Sequence, residues 1–138
     1  MWTTESRRIT SATRQRLWQL WVDVPNWKVW DTDVREARLN GGFAVGTTGT
    51  MQPSNGPTVK FMITECSQLS SFTSRSVLPL CTMDFIHTLN ETPQGLEVVH
   101  RVEMHGLLTP LFSRVIGKNI EKGLPETVKS LVALAEAL

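Results

Sequence analysis

Over about the last thirty residues the apolar positions of this chain recur at helical spacing. Leu108, Leu111, Phe112, Val115, Ile116, Ile120, Leu124, Val128, Leu131, Leu134 and Leu138 fall at steps of mostly three or four. Such a stripe is one face of a long amphipathic helix, and that face must be buried against another element. Gly123 and Pro125 lie inside it and are expected to kink it or loosen a turn.

What precedes the stripe has a different period. From Asp33 to His105, alternating segments are separated by short turn signals. DVREARL runs into Gly41-Gly42, GTTGTMQP is closed by Pro53, and SNGP (Ser54 to Pro57) forms a turn. TVKFMITE, SSFTSRSV and CTMDFIHTLN follow, then the NETPQG turn and LEVVHRVEMHG. Five or six strands joined by short turns make an antiparallel meander.

WTTESRRIT at the N-terminus is another strand, and a helix is expected at about 13 to 23, where Leu17, Trp18, Trp21 and Val22 share a face. Thr10, Ser11 and Thr13 are its candidate N-caps, Pro25 ends it, and Asn26 is placed to cap a second, short helix holding Trp27, Val29 and Trp30. The order is strand, two short helices, a run of strands, one long helix. That is an α+β arrangement: a curved antiparallel sheet with one long C-terminal helix across one face. At 138 residues it forms one domain, residues 1–138, large enough for a core without disulfides or metal.

The charge balance narrows the partners. Fourteen basic and thirteen acidic residues leave a net charge of +1, so no basic footprint for nucleic acid is expected. Cys66 and Cys81 lack metal-like spacing and read as reduced thiols. The polar start MWTTESRRIT carries no signal-peptide core, and no apolar run approaches the roughly 20 residues of a membrane span. A cytoplasmic protein, monomer or homodimer, without cofactor is the expectation. Phosphate-binding, nucleophile-elbow and zinc-protease motifs are all absent, and so is tyrosine.

Two constellations are left as candidate chemistry. All five tryptophans fall in the first thirty residues, and Trp27 and Trp30 lie on one side of the short helix, where core packing and pocket wall are both open readings. In the strands, Cys81, Met83, Phe85, His87 and Leu89 share one face, and Leu96, Val98, His100, Val102 and Met104 share another. Matching those faces across NETPQG sets His87 opposite or diagonal to His100, on the inward side of the sheet. The pair could exchange protons, bond a ligand carbonyl or hydroxyl, or be two satisfied core histidines. No metal site is expected, because His105 has the opposite parity to His100. A turn at Leu78-Pro79-Leu80 would face Arg75 inward with Met83 and Phe85, whereas a one-residue shift would face Phe72, Ser74 and Ser76 inward and leave Arg75 in solvent. Glu65 shares the parity of Phe61 and Ile63 and is either a rim acid or a surface strand end.

The order of elements resembles the helix-grip fold of the START-like, SRPBCC superfamily, which includes polyketide cyclase-like proteins and the birch-pollen allergen group. The Leu17-Trp18 helix, DVPNWKVWDTDV, GTTGTM, and the Gly106 strand end running into LLTPLFSRVIGKNIEKGLPETVKSLVALAEAL are similar to its polyketide cyclase/dehydrase-type branch. The resemblance implies a cavity between sheet and C-terminal helix for an apolar or amphipathic small molecule, and no universal catalytic residue. Its expected walls here are Trp27, Trp30, Met51, Phe61 and Ile63, then Arg75, Met83 and Phe85, then Val102, Met104, Leu108, Phe112 and Ile116, with His87 and His100 as the polar end. Binding of a small hydrophobic or aromatic ligand is the first expectation. A cyclase, dehydratase or isomerase using His87 and His100 as acid and base is the second, and an interaction module resembling chaperone activators is the third.

Overall fold

Each alternating segment becomes a strand. A computed structural model describes residues 1–137, with β1 at Trp2–Thr10, β2 at Val34–Leu39, β3 at Thr48–Pro53, β4 at Val59–Ser67, β5 at Ser71–Leu78, β6 at Cys81–Thr92 and β7 at Gly95–His105. They form one antiparallel sheet in the order β1-β7-β6-β5-β4-β3-β2, so the first strand closes on the last. The sheet curls as a half-barrel around the long C-terminal helix. Gly49 helps it curl: a Cβ there would lie 2.4 Å from the Arg38 carbonyl and 2.6 Å from the Phe61 ring, so the ring lies on bare backbone.

Helix α1 (Arg14–Val22) starts at Thr13, whose hydroxyl accepts from the Arg16 N–H at 3.1 Å. Pro25 sits in a 3₁₀ turn, Val24–Asn26, that leads directly into α2 (Trp27–Trp30). Asn26 does not cap α2 with its side chain. Its amide donates instead to Asp23 Oδ2 at 2.7 Å, because the continuing turn keeps the Asn26 side chain on the preceding loop.

The C-terminal helix is continuous but not uniform. α3 (Thr109–Phe112) passes through a π-helical turn, Ser113–Gly117, into α4 (Lys118–Glu136). The loosened turn therefore precedes Gly123 and Pro125, where it was expected. Pro125 and Glu121, whose carbonyl loses the missing N–H, are both exposed, and water can satisfy that carbonyl. The glycines serve close approach: a Cβ on Gly117 would meet the Trp2 ring at 3.0 Å, and one on Gly123 would meet the Asp33 carboxylate at 2.8 Å. Leu138, the end of the sequence stripe, lies outside the described residues. No helix among the described residues is long and apolar enough to cross a membrane.

Two apolar clusters fill the space between sheet and helix. One joins Leu17, Trp18, Trp21, Trp30 and Phe72 to Val128 and Leu131 of α4; the other joins Cys81, Met83, Val102 and Met104 to Leu124. The interior histidines lie near the aromatic end.

Candidate functional site

The β6–β7 hairpin turns through two residues, pairing Thr92 with Gly95, and this register sets His87 directly opposite His100. The imidazole centroids are 4.5 Å apart at 75°, and both rings are buried. From β5, Phe72 pairs with His87 and stacks on it at 4.0 Å, nearly parallel. From α1, Trp21 reaches across and donates its indole N–H to His100 Nε2 at 3.2 Å.

These bonds assign the protons. His100 Nε2 accepts, so in the neutral ring its proton is on Nδ1. His87 Nδ1 lies 3.3 Å from the Phe72 carbonyl, which can only accept, so Nδ1 carries the proton and Nε2 keeps its lone pair. Burial favours the neutral ring and pushes the His87 pKa down to about 4, against the opposing pull of the Phe72 and Phe85 carbonyls. Burial, then the neighbouring His87, hold His100 well below the ordinary imidazole value. At neutral pH the pair offers one acceptor and one donor, and no charge.

Trp30 packs against this pair, and Trp27 lies over the Phe72 ring that stacks on His87. Trp27 stacks over Phe61 and Phe72 with centroids 5.6 and 6.3 Å away, and its indole N–H donates to the Trp21 carbonyl at 2.8 Å. Trp30 packs edge-on against His100 at 5.9 Å. Its own N–H is buried and has no hydrogen-bond partner among the described residues. A buried donor left open is costly, by about 1–3 kcal/mol, so this one stands out in an otherwise apolar wall.

α2 is anchored to α4 just beyond Trp30. Asp31 accepts from the Asp33 N–H at 3.0 Å and lies 3.4 Å from the Thr127 hydroxyl. Burial raises its pKa to about 6, while the Asp33 N–H bond holds it lower than burial alone would.

Away from the aromatic end the inner wall is less covered. Phe61, Ile63, Met83, Val102 and Met104 are buried, but Met51, Phe85, Leu108, Phe112 and Ile116 are only half-buried. Ser74 and Ser76 are buried small residues, paired with Phe85 and Met83 on the same inner face.

Arg75 is not part of that wall. The β5–β6 turn has two residues, Pro79 and Leu80, because Leu78 pairs with Cys81. That pairs Arg75 with Asp84 on the outer face, where its guanidinium makes a two-pronged bond at 2.7 and 3.0 Å. Glu65 is a surface strand end: a bulge follows Ile63, and Glu65 accepts from the Ser67 and Ser71 hydroxyls.

On the outer face Asp84, Glu103 and His105 bring possible ligand atoms within 4.8 Å of one another. The carboxylates are already matched, Asp84 by Arg75 and Glu103 by Arg101 at 2.7 Å and His105 at 3.2 Å. This is an ion-pair network with its cations in place. Of the two registers the sequence left open, the structure takes the one that faces Phe72, Ser74 and Ser76 inward; Trp21 is the member of the site that sequence reading did not place there. The signal for Phe72 and Ser74 was the two-residue turn at Pro79-Leu80; no local signal places Trp21 on His100, since they meet 79 positions apart.

A curled sheet gripping a helix, with a neutral imidazole pair on its inner face, defines a helix-grip domain. No protein-family model and no curated protein matches the chain. Solved structures do. A protein from Mesorhizobium loti is 18% identical, with 98% of this chain and 97% of that one covered at a TM-score of 0.78. The di-domain ARO/CYC StfQ from the steffimycin biosynthetic pathway is 9% identical, covering 97% of this chain and 50% of its own, at a TM-score of 0.78. Ara h 8.0201 is 10% identical, with 99% of both chains covered, at 0.74. At these identities the likeness establishes the fold alone, a helix-grip architecture shared with these structures.

Proposed function

We propose that the protein binds a small, uncharged, apolar or aromatic molecule between the sheet and the C-terminal helix. The observation that carries this reading is the half-exposure of Phe85, Phe112, Ile116 and Ile120, apolar side chains packed on the inner cluster of sheet and helix. Ligand sites are concave, mostly apolar, and carry few polar groups. Here the polar groups are the open Trp30 N–H, the His100 Nδ1–H and the His87 Nε2 lone pair. Together they suit a hydroxyl or carbonyl, and the absence of a charged partner disfavours a carboxylate or an amine.

The acid–base reading is weaker on the same geometry. A general acid must hold a proton near working pH, and burial pushes His87 down to about 4 and holds His100 well below the ordinary imidazole value. The fold neighbour StfQ is an ARO/CYC, yet the neutral histidines here carry no imidazolium proton to donate near working pH.

Titration with the fluorescent probe 1-aminoanthracene, alongside native mass spectrometry, tests the binding reading. Wild type is expected to take up one probe, and Ser74→Leu, which sets a larger side chain beside Phe85 on the inner face, to lose it without losing stability. If Ser74→Leu instead destabilises by about 1–3 kcal/mol and wild type binds nothing, the interior is already packed and the proposal fails.

A further inference from the structure

One end of the molecule carries an apolar surface that ligand binding inside does not require. Val77 near the end of β5, Leu80 on the β5–β6 turn and Leu107 before α3 are exposed, Leu107 at 83% and Val77 at 76%. They line a shallow concavity of about 430 Å³ with Leu78 and Gly106. Leu111 and Val115, also exposed, continue the line along the helix at a spacing of four.

The turn is held in place at some cost. Leu80 has φ 51°, a left-handed conformation unfavourable for a leucine. The Leu108 N–H bonds to its carbonyl at 3.0 Å, and Gly106 lies so close that a Cβ would come within 2.4 Å of the same oxygen. A strained backbone therefore presents an apolar side chain to solvent, opposed by both sterics and the hydrophobic effect. Such strain persists where a surrounding structure enforces it, and it marks functional positions.

We propose that this end docks on an anionic lipid surface, with Leu80, Leu107, Leu111 and Val115 entering the headgroup layer and Arg114 and Lys118 meeting lipid phosphates. The charges favour this occupant. Arg114 and Lys118 are exposed beside the leucines, on the same stretch of helix. The sheet carboxylates Asp84 and Glu103 are already matched by Arg75 and Arg101. Glu121, the first carboxylate farther along α4, comes between Lys118 and Lys122. A two-fold dimer through the same patch would set Arg114 and Lys118 close to their own copies, and like charges across an interface are costly. The patch also has no aromatic anchor, the residue type that protein interfaces favour at their centre. Aliphatic side chains flanked by cations match an interfacial membrane contact.

Vesicle flotation tests this. The full chain is expected to float with phosphatidylcholine vesicles containing phosphatidylglycerol, to float far less with phosphatidylcholine alone, and to be released by high salt. Arg114→Gln with Lys118→Gln should lower affinity about 25-fold, at roughly fivefold per charge. Leu107→Asn with Leu111→Asn should lower it at least about tenfold. Val45→Asn, at an exposed apolar position in the β2–β3 connection, should float like wild type. Circular dichroism checks that each variant is folded. Absence of flotation, or flotation that survives the leucine double variant, overturns the proposal. A concentration-dependent dimer abolished by Leu107→Asn, with no vesicle binding, would assign the patch to a second copy instead.

Discussion

Trp21 donates its indole N–H to His100 Nε2, 3.2 Å away, and that bond decides what the buried imidazole pair can do. It occupies one nitrogen of His100, fixes the proton on the other, and covers the pair with a large aromatic surface. His87, held by the Phe72 carbonyl, is fixed in the same tautomer. The pair is thereby held neutral, in one tautomer, within an apolar interior.

Trp21→Phe should leave His100 Nε2 without its donor and open space beside it. A loss of about 2–4 kcal/mol is expected in urea unfolding. Nitrogen-15 NMR of the imidazoles should show both histidines as neutral Nδ1–H tautomers in wild type. Loss of that signature at His100 alone in the variant would confirm the role of the bond; an unchanged spectrum would refute it.

The pH dependence of stability follows from three buried groups. The histidines have lowered pKa values, so their contribution is full above the unfolded value of 6.5 and is lost as pH falls through the folded values, about 4 for His87. Asp31 is raised from 3.8 to about 6, so it opposes them: its contribution is full below 3.8 and is lost as pH rises through about 6. Near pH 5 the unfolded chain holds about one more proton than the folded chain, and stability should fall by about 1.4 kcal/mol per unit of acidification. Asp31→Asn removes the opposing proton, and the slope from these groups should steepen toward about 2.7 kcal/mol per unit. Denaturant midpoints measured from pH 4 to 7 read this directly.

Leu80→Asn should stabilise the fold by about 1 kcal/mol, since asparagine tolerates the left-handed conformation that leucine resists. The same substitution should weaken vesicle binding. Thermal melting and flotation on one sample would show stability rising as docking falls.

Arg75→Ala should leave 1-aminoanthracene binding unchanged, because Arg75 faces outward, while Phe85→Ala should weaken it. Its cost lies in stability, about 1–2 kcal/mol, from stranding the buried Asp84 carboxylate; the 45% exposure of the Arg75 side chain keeps the loss modest. Paired binding and unfolding curves separate the two effects.

Much of the fold was legible because its signals are local. Alternation gave the strands, the spacing from Leu108 gave the C-terminal helix, and the short NETPQG turn was enough to bring His87 opposite His100. Arg75 shows how thin that margin is. Whether Leu78 belongs to the turn or to the strand reverses every side chain of β5, and the sequence LPL is compatible with both. The π-helical turn at Ser113–Gly117 has no proline or paired glycine to announce it; it coincides with the place where Gly117 packs under Trp2 of β1.

The sequence by itself determined the period of each segment, and with it the α+β class, the inward face of β6 and β7, and the facing histidines. Those properties rest on backbone geometry over a few residues. Only the tertiary structure decided that Trp21 and Trp30 pack on the histidines while Trp27 stacks on Phe72, that Phe85 is half-buried, and that Leu80 and Leu107 meet at one exposed end. Those relations join residues distant in sequence, and they depend on where the helices come to rest on a curved sheet, which packing of the whole chain sets.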